Sequence, residues 1–278
     1  MIVFPNAKIN LGLNIVGVRP DGYHDIETIF VPIGYSDALE LVFPNEQVEG
    51  GVVWQSSGNQ LDVPLEKNLC VKALRALQAE ADIPTVSMML HKVIPSGAGL
   101  GGGSSDAAFV LTVLNNLLHL NIPHERLLQI AARLGADCPF FIDGKPVFAS
   151  GIGDVFSPIS LPKHDLNIAV AIPQGSVSTV EAYRDIPCRK PARHLYDIIS
   201  DPISTWKDSM VNDFEDYVAQ RLPDVAAFKQ KFYDMGALYA QMSGSGSSVF
   251  ALFEGYVELP TANDFPTARG FYSGHLNI

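Results

Sequence analysis

The stretch Ile94–Ala108, with the sequence IPSGAGLGGGSSDAA, is the part of the chain whose residue types are best suited to chemistry. Five of its fifteen residues are glycines, which let a ligand approach the backbone closely. A β-branched, apolar segment precedes it at Val86–Ile94 and predicts a strand, and an apolar-rich run follows. Ser104, with the serine and aspartate after it, is typical of a helix N-terminus. The N–H groups and positive dipole end of such a helix favour an anion, most often a phosphate. A plain strand-to-helix loop that is rich in glycine by chance is the alternative.

Two further polar pairs lie near the N-terminus. Lys8 and Asn10 alternate with apolar neighbours, so they share one face of a predicted strand. They could serve a ligand, or they could mark an edge strand with a solvated face. Tyr23 and His24 follow the turn signal Arg19-Pro-Asp-Gly22, where they form either a binding edge or an ordinary loop.

Asp137 lies between the end of a predicted helix and an apolar run. A carboxylate at that place is either a loop residue or a buried functional acid. A second Gly/Ser cluster spans Gly244–Ser248, between two predicted strands, and could be an ordinary hairpin turn.

Hydrophobic periodicity places the elements that must position these residues. The predicted helices are Asn68–Ala81, Ser104–Leu120, His124–Leu134, Ser178–Arg184, Tyr196–Ile203, Asp213–Arg221 and Pro223–Met235. The predicted strands are Met1–Val18 with an interruption from Pro5 to Lys8, Ile26–Ile33, Ala38–Phe43, Gly51–Gln55, Val86–Ile94, a hairpin at Val147–Gly151 and Gly153–Phe156, Leu166–Ile172, Tyr239–Ser243 and Val249–Phe253. Strands and helices alternate without βαβ regularity, which predicts an α+β architecture.

The composition excludes several classes of protein. A net charge of −11 argues against a general nucleic-acid or membrane surface, so we expect neither partner. Cys70, Cys138 and Cys188 show neither metal-site spacing nor a disulfide framework, which suits a reducing compartment and predicts a cytoplasmic protein. We expect no signal peptide, no membrane span and no dedicated metal site.

Known nucleotide motifs do not account for the glycines. The P-loop needs a lysine after its last glycine, and here Ser-Ser-Asp follows. Gly97, Gly99 and Gly102 match the dinucleotide fingerprint, but no acidic residue ends a strand about twenty residues later. A protein kinase would need a catalytic loop of the H-R-D type, which the sequence lacks.

Three motifs together resemble those of the GHMP kinases. They are Pro95-x-Gly-Ala-Gly-Leu-Gly-Gly-Gly-Ser-Ser-Asp-Ala-Ala108, Pro5-x-Ala-Lys-Ile-Asn-Leu11 and Met242-Ser-Gly-Ser-Gly-Ser-Ser248. Two others, Arg19-x-Asp-Gly-Tyr-His24 and Gly135-Ala-Asp-x-Pro-Phe-Phe141, resemble the branch that phosphorylates a cytidyl diphosphate alcohol. The resemblance covers residues 5 to 250, nearly the whole chain.

The resemblance implies a role for each matching position. Asp137 would be the catalytic base and Lys8 its cationic partner, while Asn10 would hold the substrate. Tyr23 and His24 would bind the cytosine end, with Tyr183 as a second stacking ring. ATP with Mg²⁺ would be bound by Asn68, Leu69, Lys92, Pro95, Gly97, Gly99, Leu100, Gly101, Gly102, Gly103, Ser104, Ser105, Gly244 and Ser245.

The resemblance also implies a two-domain fold. Residues 1–158 would form an N-terminal domain like ribosomal S5 domain 2, and residues 159–278 a ferredoxin-like C-terminal domain. The implied acceptor is a small cytidyl diphosphate alcohol, and the protein would be a monomer or homodimer. A kinase for another small alcohol, such as homoserine or mevalonate, and a non-catalytic nucleotide-binding relative are the alternatives.

Overall fold

The computed structural model describes residues 1–61, 63–161, 165–186, 188 and 191–276. Its strands are β1 (Ile2–Val3), β2 (Asn6–Val18), β3 (His24–Ser36), β4 (Ala38–Val42), β5 (Val52–Gly58), β6 (Val86–Lys92), β7 (Val147–Ser150), β8 (Val155–Pro158), β9 (Leu166–Ile172), β10 (Tyr239–Met242), β11 (Val249–Glu254) and β12 (Gly270–Leu276). Its α-helices are α1 (Leu69–Gln78), α2 (Gly102–Leu117), α3 (His124–Leu134), α4 (Phe140–Asp143), α5 (Thr179–Asp185), α6 (Leu195–Ile198), α7 (Trp206–Ser209), α8 (Glu215–Arg221) and α9 (Asp224–Asp234). The mixture confirms the predicted α+β class.

The chain divides into two compact units, each built from separate segments. The first comprises Met1–Ala7, Ser36–Ser96 and Gly101–Lys145. The second comprises Lys8–Tyr35, Gly97–Leu100 and Pro146–Ile278. The domain boundary between residues 158 and 159 stays a prediction.

The first unit packs helices α1, α2 and α3 on a sheet with the strand order β1-β4-β6-β5. Strand β6 runs antiparallel to β4 and parallel to β5. Its side chains alternate, so Val86, Met88 and Leu90 are buried in the core while Met89 and His91 are exposed. The same alternation brings the last residue of β6, a lysine, to the buried side of the sheet.

The second unit contains a sheet with the order β10-β11-β9-β12, in which all three pairings are antiparallel. Strand β9 lies inside the sheet, and six of its seven residues are buried, which explains its uninterrupted apolar sequence. Helices α8 and α9 contribute Val218, Val225, Phe228 and Phe232 to the core beside it. A further sheet, β2-β3-β7-β8, has β2 at its edge.

Most predicted elements are present with shifted ends, and the structure adds α4, α7 and β12, which the sequence analysis did not predict. Helix α3 and strand β9 have the predicted bounds. Helix α6 ends at Ile198, earlier than predicted, and Pro202 lies four residues beyond; proline disfavours helix at the residue before it. No helix among the described ranges is long and apolar enough to cross a membrane.

Candidate active site

The glycine-rich loop connects β6 to α2 and depends on glycine conformations. Gly97, Gly99 and Gly101 have φ values of 65°, 77° and 69°, a region that other residues adopt only with strain. Gly101 is the N-cap of α2, with no side-chain capping bond. The predicted start of this helix at Ser104 is therefore wrong. The left-handed turn ends at Gly101, so the helix begins at Gly102, two residues earlier than predicted.

Within the second unit, residues 98–100 of the loop pack against the Gly/Ser turn at 243–248. The Ser243 hydroxyl donates to the Gly99 carbonyl at 2.9 Å, and the Ser248 N–H donates to the Ala98 carbonyl at 3.1 Å. A Cβ added to Gly99 would lie only 2.1 Å from the Ser243 carbonyl oxygen. A Cβ added to Gly244 would lie 3.3 Å from the Gly99 carbonyl oxygen. The structure thus brings together the two glycine-rich motifs, so the Gly/Ser cluster is more than a hairpin turn.

Lys8 and Asn10 form the start of a buried polar chain on the same unit. The Lys8 Nζ donates to Asn10 Oδ1 at 2.6 Å, and Asn10 Nδ2 donates to the Thr28 hydroxyl at 2.8 Å. The backbone N–H of Asn10 donates to the Ser243 hydroxyl at 3.1 Å. Both side chains are less than 5% exposed, so the alternative of a solvated strand face is wrong, although β2 is an edge strand. This chain connects the N-terminal motif to the Gly/Ser turn.

Lys8 also faces an aromatic ring. Its Nζ lies 4.5 Å from the centroid of the Phe30 ring, a cation–π contact. The backbone N–H of Lys8 donates to the Leu100 carbonyl at 3.0 Å. Leu100 itself is buried, so this bond fixes β2 against the glycine-rich loop within the second unit.

Asp137 lies in the first unit, in the turn that connects α3 to α4, and is half-buried. Its neighbour Cys138 is buried and hydrogen-bonded to Ser104 of α2. Burial raises the pKa of the Cys138 thiol to about 11; the bond from Ser104 opposes the rise and the Asp137 carboxylate adds to it. The turn that carries Asp137 therefore lies beside the first turn of α2, as a carboxylate acting near the glycine-rich loop would require.

The aromatic residues of the predicted cytosine site are partly assembled. The rings of His24 and Tyr183 lie 5.2 Å apart with a tilt of 35°, and Tyr183 also packs edge-on against Phe214 at 4.7 Å. Tyr23 lies in the preceding turn, where its backbone N–H donates to Asp21 Oδ1 at 3.1 Å. Its side chain is 60% exposed and available to a ligand. The structure brings together His24 and Tyr183, while Tyr23 has no ring contact among the described residues.

The residues predicted near the adenine belong to the first unit. Asn68 is the N-cap of α1, and its Oδ1 accepts the N–H of Cys70 at 2.8 Å. Leu69 begins that helix and borders α2, since a Cβ on Gly103 would lie 3.7 Å from its Cδ1. Pro95 is buried between β6 and the loop. Ser105 is fully buried, and its hydroxyl has no hydrogen-bond partner within the part of the chain that the structure describes.

Lys92 belongs to a buried charged cluster that sequence reasoning missed. Its Nζ donates to Asp37 Oδ2 and, at 2.7 Å, to Asp106 Oδ2, and all three residues are at most 2% exposed. Burial lowers the pKa of Lys92, but the two carboxylates outweigh it and raise that pKa above its ordinary value. Burial raises the pKa of Asp106 to about 7, Lys92 opposes that rise, and Asp37 adds to it. The sequence does contain a signal for this cluster. The alternation of Val86, Met88, Leu90 and Lys92 puts the lysine on the buried face of β6, where a charged side chain is stable only beside an opposite charge.

Models of a known family match two parts of the chain. The model of the GHMP kinases N terminal domain matches residues 68–145, and that of the GHMP kinases C terminal matches residues 198–260. A Parabacteroides distasonis protein named 4-diphosphocytidyl-2-C-methyl-D-erythritol kinase is 51% identical over 91% of this chain and 92% of its own length. The chain belongs to the GHMP kinase family. A Bacteroides fragilis relative with the same name is 48% identical over 98% of both chains.

Solved structures agree with this membership. A crystal structure of 4-(cytidine 5'-diphospho)-2C-methyl-D-erythritol kinase is 30% identical to this GHMP kinase, with a TM-score of 0.81, and the match covers 99% of this chain and 98% of the other. Homoserine kinase from Cytophaga hutchinsonii, at 20% identity and a TM-score of 0.60 over 90% and 85% of the two chains, shares the fold. The predicted GHMP-kinase-like fold is confirmed.

The site of this GHMP kinase contains no dense group of metal ligands in the described segments. There, no three or more His, Cys, Asp or Glu side chains are grouped to hold a metal ion. The individual roles implied for the site residues stay predictions.

Proposed function

We propose that this chain transfers the terminal phosphoryl group of ATP to the 2-hydroxyl of 4-diphosphocytidyl-2-C-methyl-D-erythritol, in the non-mevalonate pathway to isoprenoid precursors. The observation that carries the proposal is the similarity, over nearly the whole chain, to relatives with that name. The reaction needs in-line positioning and charge stabilisation more than covalent chemistry from the protein. The glycine-rich loop and the buried lysines are suited to those two tasks.

The glycine-rich loop would hold the ATP phosphates. Backbone N–H groups at the start of α2 are in the part of a helix that favours anions, and the glycines allow phosphate oxygens to approach them. Leu69 and Asn68, at the start of α1, would lie on the adenine side, together with Lys92. The loop's contact with the Gly/Ser turn supports a role for Gly244 and Ser245 at the phosphates.

Mg²⁺ would accompany the ATP. The ion keeps most of its ligands as waters and phosphate oxygens, so a single protein hydroxyl is a sufficient donor. The buried Ser105 hydroxyl, which lacks a partner in the described chain, fits this requirement, and Ser104 is the neighbouring candidate. When bound, the ion would neutralise charge on the phosphate oxygens.

Asp137 would accept the proton of the substrate hydroxyl. A carboxylate within hydrogen-bond reach of an alcohol can act as its general base. Lys8 would be the cationic partner in this scheme and would face the transferring phosphoryl group. Asn10, hydrogen-bonded to Lys8, would orient its ammonium and contact the substrate.

Three aromatic residues would bind the cytosine. The base offers two flat faces and an edge with an amino donor beside acceptors. Tyr23 would stack on one face and Tyr183 on the other, while His24 would reach the edge. The contact between His24 and Tyr183 supports a common binding surface. We further propose that the enzyme is cytoplasmic and acts as a monomer or homodimer.

A coupled ATPase assay with three acceptors tests the proposal. The purified chain is incubated with ATP, MgCl₂ and, in turn, the cytidyl diphosphate alcohol, homoserine and mevalonate, and ADP release is followed. Turnover with the cytidyl alcohol alone is the expected result. Turnover only with homoserine or mevalonate would show that the chain belongs to another branch of the family. ATP binding in a calorimeter without turnover of any acceptor would identify a non-catalytic relative.

A further inference from the structure

The chain segment that enters the glycine-rich loop is held by a buried carboxylate. Asp37 Oδ1 accepts the backbone N–H of Val93 at 2.6 Å and that of Ile94 at 2.8 Å. These residues are the last two before Pro95, at which the loop motif begins. Asp37 is 1% exposed and lies between β3 and β4, more than fifty residues earlier in the chain. One carboxylate oxygen thus fixes the direction in which the backbone leaves β6.

The chain segment that leaves the loop is held by the same cluster. Asp106, in the second turn of α2, accepts from Lys92 Nζ at 2.7 Å. A Cβ added to Gly102, the first residue of α2, would lie 3.0 Å from that same Nζ. Lys92 also donates to Asp37, so its single ammonium group connects the anchor of the loop's entry to the helix at the loop's exit.

We propose that Asp37 and Asp106 are positioning residues that, through Lys92, fix the two ends of the glycine-rich loop in the geometry that receives the ATP phosphates. The inference rests on the proposed function, because it assigns the loop to ATP. Neither carboxylate touches the nucleotide in this scheme. Each acts on the backbone or on the lysine that holds the loop's ends.

Burial gives the cluster the rigidity that this role requires. All three residues are at most 2% exposed, and in this low-dielectric environment the hydrogen bonds from the one ammonium group to the two carboxylates are stronger than they would be in water. A loop whose ends are already fixed loses less conformational freedom when a ligand orders it, which favours binding. Small displacements of a phosphate cradle carry large costs in rate, since misplacement by about 1 Å can cost roughly 100-fold.

The substitution Asp37→Asn tests the role with little change of shape. Asparagine keeps an oxygen that can accept from Val93 and Ile94, but it loses the charge that binds Lys92. We expect the KM for ATP to rise about tenfold while the KM for the acceptor alcohol stays within about twofold. Asp37→Ala also removes the acceptor oxygen, so its effect on the KM for ATP should be larger. Amide hydrogen exchange of the peptide 93–104 in the absence of ATP should accelerate in both variants.

Leu77→Ala is the matched control. Leu77 is fully buried in the core of the same unit, at the end of α1 away from the loop, so its truncation lowers the melting temperature without touching the cluster. We expect an unchanged KM for ATP in this variant. Equal effects of Asp37→Asn and Leu77→Ala on KM and on exchange would overturn the positioning role. If wild-type protein fails to bind ATP in a calorimeter, the proposed function fails; if it binds and both Asp37 variants bind equally well, the inference alone fails.

Discussion

The substitution Gly99→Ala adds a single methyl group where the structure leaves no room for one. Gly99 has a φ of 77°, which alanine adopts only with strain. The added Cβ would lie 2.1 Å from the Ser243 carbonyl oxygen and 3.1 Å from that of Gly246. Both oxygens belong to backbone, so rotation of a side chain cannot relieve the clash. The loop and the Gly/Ser turn must separate by about 1 Å, in the regime where overpacking is costly.

Gly97 provides a control with the same backbone strain and no clash. Its φ is 65°, and the nearest atom to an added Cβ is that of Ser176 at 3.8 Å. The left-handed conformation costs alanine about 1–2 kcal/mol in either position. Overpacking at Gly99 adds roughly 1–3 kcal/mol. We therefore expect Gly97→Ala to cost about 1–2 kcal/mol and Gly99→Ala about 2–5 kcal/mol of unfolding free energy.

Thermal unfolding of the two variants measures the difference. An extra loss of about 1–3 kcal/mol should lower the melting temperature of Gly99→Ala by roughly 2–5 °C below that of Gly97→Ala. Calorimetric titration with ATP and MgCl₂, below both melting temperatures, should show at least about tenfold weaker binding by Gly99→Ala than by wild type, because the loop is displaced. Equal melting temperatures for the two variants would refute the close contact with Ser243.

Three further predictions concern the chemistry. Steady-state kinetics of Asp137→Asn should show kcat reduced roughly 100-fold or more, and calorimetry should show nearly unchanged ATP binding. In the double variant with Lys8→Met, the increase in the activation free energy should be smaller than the sum of the increases in the two single variants. Tyr23→Ala should raise the KM for the cytidyl substrate about 5- to 100-fold, since a stacked base contributes roughly 1–3 kcal/mol, and the KM for ATP should change little. Burial raises the pKa of Asp106 from 3.8 to about 7, so the folded protein binds a proton at this carboxyl more tightly than the unfolded chain does. The stabilisation of the folded state by that proton is complete below pH 3.8 and is lost as the pH rises through 7. Asp106→Asn should remove that loss, which denaturant titrations of both proteins across this pH range would detect.

Each of these predictions has a result that contradicts it. Wild-type turnover of the Asn variant would exclude Asp137 as the base. A parallel fall in melting temperature and in affinity for both substrates would make Tyr23 a structural residue, and equal phosphorylation of a uridine analogue would exclude the aromatic site as a base reader. A constant difference between wild type and the Asp106 variant from pH 4 to 8 would contradict the raised pKa of that carboxyl.

Local sequence patterns were sufficient for much of the fold. Periodicity predicted α3 and β9 with their observed ends, because an amphipathic helix and a buried strand have signatures within a few consecutive residues. Alternation placed Lys8 and Asn10 on one face of β2, and the structure joins them by a hydrogen bond. The glycine-rich stretch predicted a loop before a helix, but the serines after it suggested a start two residues late. Sequence patterns could not show that Gly101 adopts the left-handed conformation that sets the start of α2.

The sequence by itself determined the α+β class of the chain and most of its helices and strands. It also singled out the candidate residues for phosphate binding, whose roles stay predictions. Only the tertiary structure decided which residues from distant parts of the chain contact the glycine-rich loop and its ends. Ser243 reaches Gly99 across 144 positions of the chain, and Asp37 reaches Lys92 across 55. No local pattern encodes such pairs, because strand pairing and core packing bring them together. In the sequence, Asp37 looks like an ordinary loop residue. It becomes the partner of the buried Lys92 only because the core around both side chains excludes water.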